Sequence, residues 1–62
     1  MTSTIQYFVV YETSGEKHIS NAFDNKDRAT NLAARMKDTY ELPAVVIEIE
    51  SFGGSVASVE QF

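Results

Sequence analysis

The chain has 62 residues, no cysteine, one histidine and a formal net charge of −4. A chain of that length holds one domain at most and buries only about 60% of the surface its unfolded form exposes. Disulfides are excluded, a single histidine leaves little for a protein-only zinc site, and the acidic balance argues against a general nucleic-acid binder, which needs a basic footprint.

Small scaffolds usually add a disulfide, a metal or a partner to a thin core. Association with another chain is therefore the expected route here. The opening MTSTIQYFVV carries no basic region and no long apolar run, so it does not read as a signal peptide. No segment approaches the roughly 18 uninterrupted apolar residues of a membrane span. The lack of cysteine fits a reducing compartment, and the expectation is a soluble cytoplasmic protein. An apolar fraction of 44% is that of a globular domain. Charge is uneven along the chain. Lys17, Lys26, Arg28, Arg35 and Lys37 are all the basic residues, and from Asp38 onward there are acids only.

The first element is IQYFVVYE, residues 5–12, inside a strand expected over about Thr4 to Glu12 and rich in β-branched and aromatic residues. Both of its faces are apolar: Ile5, Tyr7, Val9 and Tyr11 on one, Phe8 and Val10 on the other. Thr13-Ser14-Gly15 is a turn signal, and a three-residue loop ending in Gly15 suits it. A second strand, about Glu16 to Phe23, follows. That loop sets Glu12 opposite Glu16, Val9 opposite Ile19 and Ile5 opposite Phe23. The odd-numbered face then collects Ile5, Tyr7, Val9, Tyr11, Ile19 and Phe23, and the even face Phe8, Val10, His18, Ser20 and Ala22.

Asp24 or Asn25 is an N-cap, and Asp27 suits the first turn of a helix. Ala29, Leu32, Ala33, Met36 and Tyr40 recur at the spacing of one helical face. Leu42-Pro43 ends the helix, because a residue before proline is pushed out of helical geometry. The apolar stripe is narrow and rich in alanine, so the helix depends on docking more than on propensity.

The third strand is Ala44 to Glu50, with Val45, Ile47 and Ile49 on one face and Glu48 and Glu50 on the other. A hairpin loop over Phe52 to Gly54 sets Ile49 opposite Ala57 and Ile47 opposite Val59. Ser55 to Gln61 then forms a fourth strand, the alternative being a partly ordered tail. The order β-β-α-β-β predicts an α+β, two-layer domain: a four-stranded antiparallel sheet with one helix packed on one face. The helix and the odd-numbered faces, Ile5, Tyr7, Val9 and Tyr11 of the first strand and Val45, Ile47 and Ile49 of the third, are expected to form the core. One helix covers one face, so Phe8 and Val10, with Ala22 and Val46, are expected on bare sheet. Contiguous exposed apolar surface marks an interaction site.

Little in the chain suggests catalysis. A serine-histidine-carboxylate arrangement would need His18 as its base, and no serine has a supporting signature. If His18 lies in a contact surface it makes that contact pH-sensitive. Glu48 and Glu50 stand about 7 Å apart along a strand, and without a cleft they read as solvated charges that block unwanted edge pairing. Phe52-Gly53-Gly54-Ser55 lacks the pattern of a phosphate or dinucleotide loop, leaving Phe52 as an aromatic either tucked inward or presented to a partner. Tyr7, Phe8 and Tyr11 invite comparison with stacking platforms for single-stranded nucleic acid, which also need basic residues beside the aromatics, and here only Lys17 and His18 are near.

The expectation is a non-enzymatic protein-binding module with no cofactor or metal. Its partner is another protein or a second copy, as a homodimer, with nucleic acid disfavoured and no membrane. The contact residues expected are Phe8, Val10, His18, Val46 and Phe52, with Glu48 and Glu50 at the rim. By analogy of size and composition alone, a phage or mobile-element inhibitor of a host protein fits. The alternative is a regulatory domain that binds single-stranded nucleic acid or a small ligand.

Overall fold

Strand β1 (Ser3–Thr13), strand β2 (Glu16–Ile19), helix α1 (Lys26–Thr39), strand β3 (Ala44–Phe52) and strand β4 (Ser55–Gln61) follow one another along the chain. They are taken from a computed structural model that describes residues 3–62. The strands form one antiparallel sheet in the order β2-β1-β3-β4. The helix packs on one of its faces, against β1 and β3. The α+β, β-β-α-β-β architecture is the one expected from sequence.

Both hairpins are tighter than expected. Ser14 and Gly15 have φ of 51° and 80°, and positive φ at both central residues is the signature of a two-residue type I′ turn, whose twist matches that of the flanking strands. The register therefore moves by one residue. Glu12 faces Lys17 rather than Glu16, and Val10 rather than Val9 faces Ile19. This replaces a like-charge pair at the loop mouth with an opposite-charge pair. In the second hairpin Gly53 and Gly54 have φ of 56° and 86° and form the same kind of turn. Phe52 pairs with Ser55, and a register shift after Glu50 leaves Ala57 as the extra residue of a bulge. Beyond it Ile49 faces Val59 and Ile47 faces Gln61, not Ala57 and Val59.

Strand β2 is shorter than the expected Glu16–Phe23 span. Regular pairing stops at Ile19, and Tyr7 and Phe23 meet again in an isolated bridge, with N–H to C=O distances of 2.8 and 2.7 Å. Between these points Ser20 takes over. Its N–H donates to the Val9 carbonyl, and its hydroxyl accepts the Val9 N–H, both at 2.9 Å.

Asn25 is the N-cap: in extended geometry, it accepts the Asp27 N–H on its side-chain oxygen at 2.8 Å. The C-terminus closes through Tyr40 as C-cap and Glu41 at φ 54°, with the Leu42 N–H donating to the Met36 carbonyl at 3.0 Å. A left-handed residue just past the helix is a common stop, but here it is not glycine. Pro43 leads into β3, and its carbonyl accepts the Glu12 N–H at 3.1 Å.

The core is Val9, Ala29, Ala33, Ala44 and Val46, flanked by Tyr7, Tyr11, Phe23, Leu32 and Met36. The alanines of α1 let it approach the sheet closely, and Val9, Ala44 and Val46 are the small residues that meet it. Fully buried side chains larger than alanine are confined to Val9 among the described residues. Strand β4 is a strand along its length, and the Phe62 N–H continues its pairing by donating to the Val46 carbonyl at 2.8 Å.

Candidate interaction face

Residues directly opposite each other in an antiparallel pair lie on the same face of the sheet. Val9 faces Val46 and Tyr11 faces Ala44, so the odd residues of β1 and the even residues of β3 look toward the helix. Phe8 faces Ile47, Val10 faces Val45 and Gln6 faces Ile49 on the other side. Ile19 joins them from β2, opposite Val10, and Val59 from β4, opposite Ile49. The result is a bare face whose centre is the Phe8–Ile47 pair, framed by Val10, Val45 and Ile49, with Ile19 and Val59 at its edges. Ile19 is 64% exposed and Val59 is 61% exposed, while the central residues are half-buried.

Several residues expected at the contact surface are elsewhere. Val46 is a core residue with 7% exposure, because β3 presents its even side chains to the helix. Glu48 and Glu50 share that helix-side face, opposite Tyr7 and Ile5, and so do not rim the bare face. Val45, Ile47 and Ile49, expected in the core, lie outside it. His18 faces Tyr11 across β1 and β2, on the helix side. The two rings stack with centroids 5.4 Å apart and planes 27° apart, and His18 Nε2 is 2.9 Å from Thr13 Oγ1. Ala22 lies exposed in the break after β2. Phe52, 45% exposed at the mouth of the second hairpin, pairs with Ser3 and Ser55 on the helix-side parity of β3. Of the expected contact residues, the bare face holds Phe8 and Val10.

The polar rim of that face is balanced. Glu12 and Lys17 are direct neighbours there, and with Val10 and Val45 they border a shallow hollow of about 190 Å³. Gln6 and Gln61 add neutral amides. The acids of the strands otherwise lie on the helix side, where Glu48 faces Glu60. Tyr7 faces Glu48. Its phenol is held above the ordinary tyrosine pKa, first by loss of solvent and then by the neighbouring Glu48 carboxylate.

The helix side has its own surface features. Lys26 Nζ lies 3.8 Å from the centroid of the Phe62 ring, a cation–π contact that ties the last residue to the start of α1. An open hollow of about 320 Å³ lies between α1 and the sheet, lined by Ala33, Ala34, Val46 and Phe62 among others. No grouping of three metal-ligating side chains occurs among the described residues, nor is any helix of these residues long and apolar enough to cross a membrane. Comparison with protein-family models, curated proteins and solved structures finds no match to this chain.

Proposed function

We propose that this chain is a non-enzymatic binding module of the cytoplasm that acts by covering its bare sheet face with another protein. The observation that carries this reading is the continuity of Ile19, Val10, Val45, Phe8, Ile47, Ile49 and Val59 across all four strands, opposite the helix. Soluble proteins seldom leave a contiguous patch of that kind uncovered, and where they do it marks a contact surface. Aromatic and aliphatic side chains at the centre with a polar rim match the anatomy of protein–protein interfaces. Its size, acidity and lack of cysteine suit a small inhibitor of the kind made by phages and mobile elements, which works by occupying a partner's surface.

The rival reading, a single-stranded nucleic-acid platform, loses ground on one observation. Tyr7 and Tyr11 lie on the helix side with Glu48 and Glu50, and Lys17 is the sole basic residue on the bare face. Two measurements decide between them. Titration with a fluorescent single-stranded oligonucleotide at low salt is expected to give no signal, and binding there would favour the rival. Retention of proteins from a cell extract by immobilised chain should be lost with Phe8→Asp and kept with Glu48→Gln. The opposite pattern would move the site to the helix side.

A further inference from the structure

We infer that the occupant of the bare face is a second copy of this chain, packed face to face across a two-fold axis near the Phe8–Ile47 pair. The inference rests on the reading above and specifies its partner.

Three observations point to it. The first is surface. The chain exposes 4511 Å², whereas a folded monomer of its 6.9 kDa mass is expected to expose about 4,000 Å². Its radius of gyration of 12.4 Å exceeds the roughly 10.6 Å of a compact 62-residue domain. The excess goes with an open, elongated shape of 41 × 23 × 17 Å, and its own core is three alanines and two valines.

The second is charge. The molecule carries −4. Residues 24–41 hold four acids and four bases, so the excess lies in Glu16, Glu48, Glu50 and Glu60 on the helix side of the sheet, and the bare face has none of it. Its ionised groups are one acid and one base, Glu12 and Lys17, directly paired, while Glu16, Glu48, Glu50 and Glu60 stand on the other side of the sheet. An isologous contact must tolerate its own image, and a face with no net charge does so. A strongly charged target would find nothing there to recognise.

The third is area. The 11 residues of β1 make the sheet about 36 Å long, and because β2 pairs only beside residues 10–13 of β1 and β4 only beside residues 47–52 of β3, it is three strands, about 14 Å, wide toward either end. That gives a footprint of roughly 500 Å² per copy, or roughly 1,000 Å² for the pair, at the threshold of a specific interface. Two sheets so packed lie about 10 Å apart with their strands within about 30° of alignment. Ile19 and Val59, half bare in one chain, would lie inside the resulting four-layer α-β-β-α assembly, with both helices outermost.

The test is mass by light scattering on a sizing column, from about 1 to about 100 µM, the range in which an interface of this size is expected to dissociate. The wild-type chain should pass from monomer to dimer within it. Phe8→Asp should stay monomeric throughout while keeping its far-ultraviolet circular dichroism. Ile19→Asp, a change at a position already exposed in the single chain, should do the same if Phe8→Asp fails to fold. Arg35→Ala, on the helix, should dimerise as wild type. A dimer that survives both aspartate variants overturns the proposal, because another surface then pairs. A wild-type monomer at every concentration also overturns it. In that case binding of the apolar dye anilinonaphthalene sulfonate separates the two readings: dye uptake that Phe8→Asp abolishes leaves the bare face standing as a site for a different protein, and no uptake removes that reading as well.

Discussion

The Ser20 hydroxyl lies 2.9 Å from the amide nitrogen of Val9 and accepts its hydrogen, where a regular ladder would offer a backbone carbonyl. The Ser20 hydroxyl donates in turn to the Asn21 carbonyl at 3.0 Å. Val9 is fully buried, so its N–H has no access to water if that acceptor is lost. Ser20→Ala should therefore destabilise the fold by about 1–3 kcal/mol, the cost of a buried unpaired donor. Urea unfolding measures the loss, and Ser20→Thr, which keeps the hydroxyl, should recover part of it. Amide exchange at Val9 should accelerate in Ser20→Ala more than at its neighbours. A variant as stable as wild type would mean that the strand re-pairs through a backbone carbonyl.

The pairing of Tyr7 with Glu48 sets a pH dependence. The phenol's pKa is raised above its ordinary value of 10.0 by desolvation and by Glu48. A group whose pKa is higher in the folded state binds its proton more tightly there. Its contribution is complete below the unfolded value and is lost as pH rises through the folded one. Stability should thus decline above about pH 10, in alkali and not in acid. Glu48→Gln removes the carboxylate's charge and should shift one step of the phenolate absorbance titration downward, leaving part of the elevation because desolvation is the larger cause. An unchanged titration would show that Glu48 does not govern Tyr7.

Two residues that are not glycine hold positive φ, Ser14 at 51° and Glu41 at 54°. A left-handed conformation costs an ordinary residue about 1–2 kcal/mol. Glycine avoids that cost but loses about 0.5–1 kcal/mol to its unfolded-state freedom. Glu41→Gly should then stabilise the fold by about 0.5–1 kcal/mol, provided the surface side chain makes no other contribution. Ser14→Asn, which creates the favoured Asn-Gly pair of a type I′ turn, should act in the same direction by a smaller amount. Thermal unfolding reads both. A destabilised Glu41→Gly would indicate that the helix stop draws on the glutamate side chain.

The elements and their order were legible because each carries local chemistry: β-branched runs for the strands, an Asn25 cap, an alanine-rich face on α1, a proline after its end. Face assignment was legible only in β1. Tyr7, Val9 and Tyr11 meet the helix as expected, Ile5 shares their face but is 44% exposed, and Phe8 and Val10 lie on the other face. The parity of β3 was hidden, because no hairpin joins it to β1. Val45, Ile47 and Ile49 looked like a core stripe by hydrophobicity, and only the β1–β3 register puts Val46 and Ala44 inward instead. The helix offers Ala29 and Ala33 at close approach, which suits the smaller Ala44 and Val46. The first hairpin differs from expectation by one residue because a serine at a type I′ position gives a weaker signal than asparagine or glycine, and the second by two beyond its Gly53-Gly54 turn because the bulge at Ala57 adds to the shorter loop. The single step in the first moved His18 to the helix side, and it set Glu12 beside Lys17.

Self-pairing through the bare face makes stability depend on concentration. A partner that binds only the folded chain stabilises it by mass action. In a dimer each contact is shared by two chains, so a hundredfold dilution removes at most about 1.4 kcal/mol per chain, half of RT ln 100, the limit reached when the chain stays dimeric until it unfolds. For a domain of this size that limit corresponds to a fall in Tm of about 6 to 10 °C. Phe8→Asp should melt at one temperature whatever its concentration, and lower than wild type at high concentration. Because the face carries no histidine, the wild-type dependence should be the same at pH 5.5 and at pH 8. A wild-type Tm that does not move on dilution would remove the second copy from the bare face. A dependence that vanishes at pH 5.5 would return His18 to the contact.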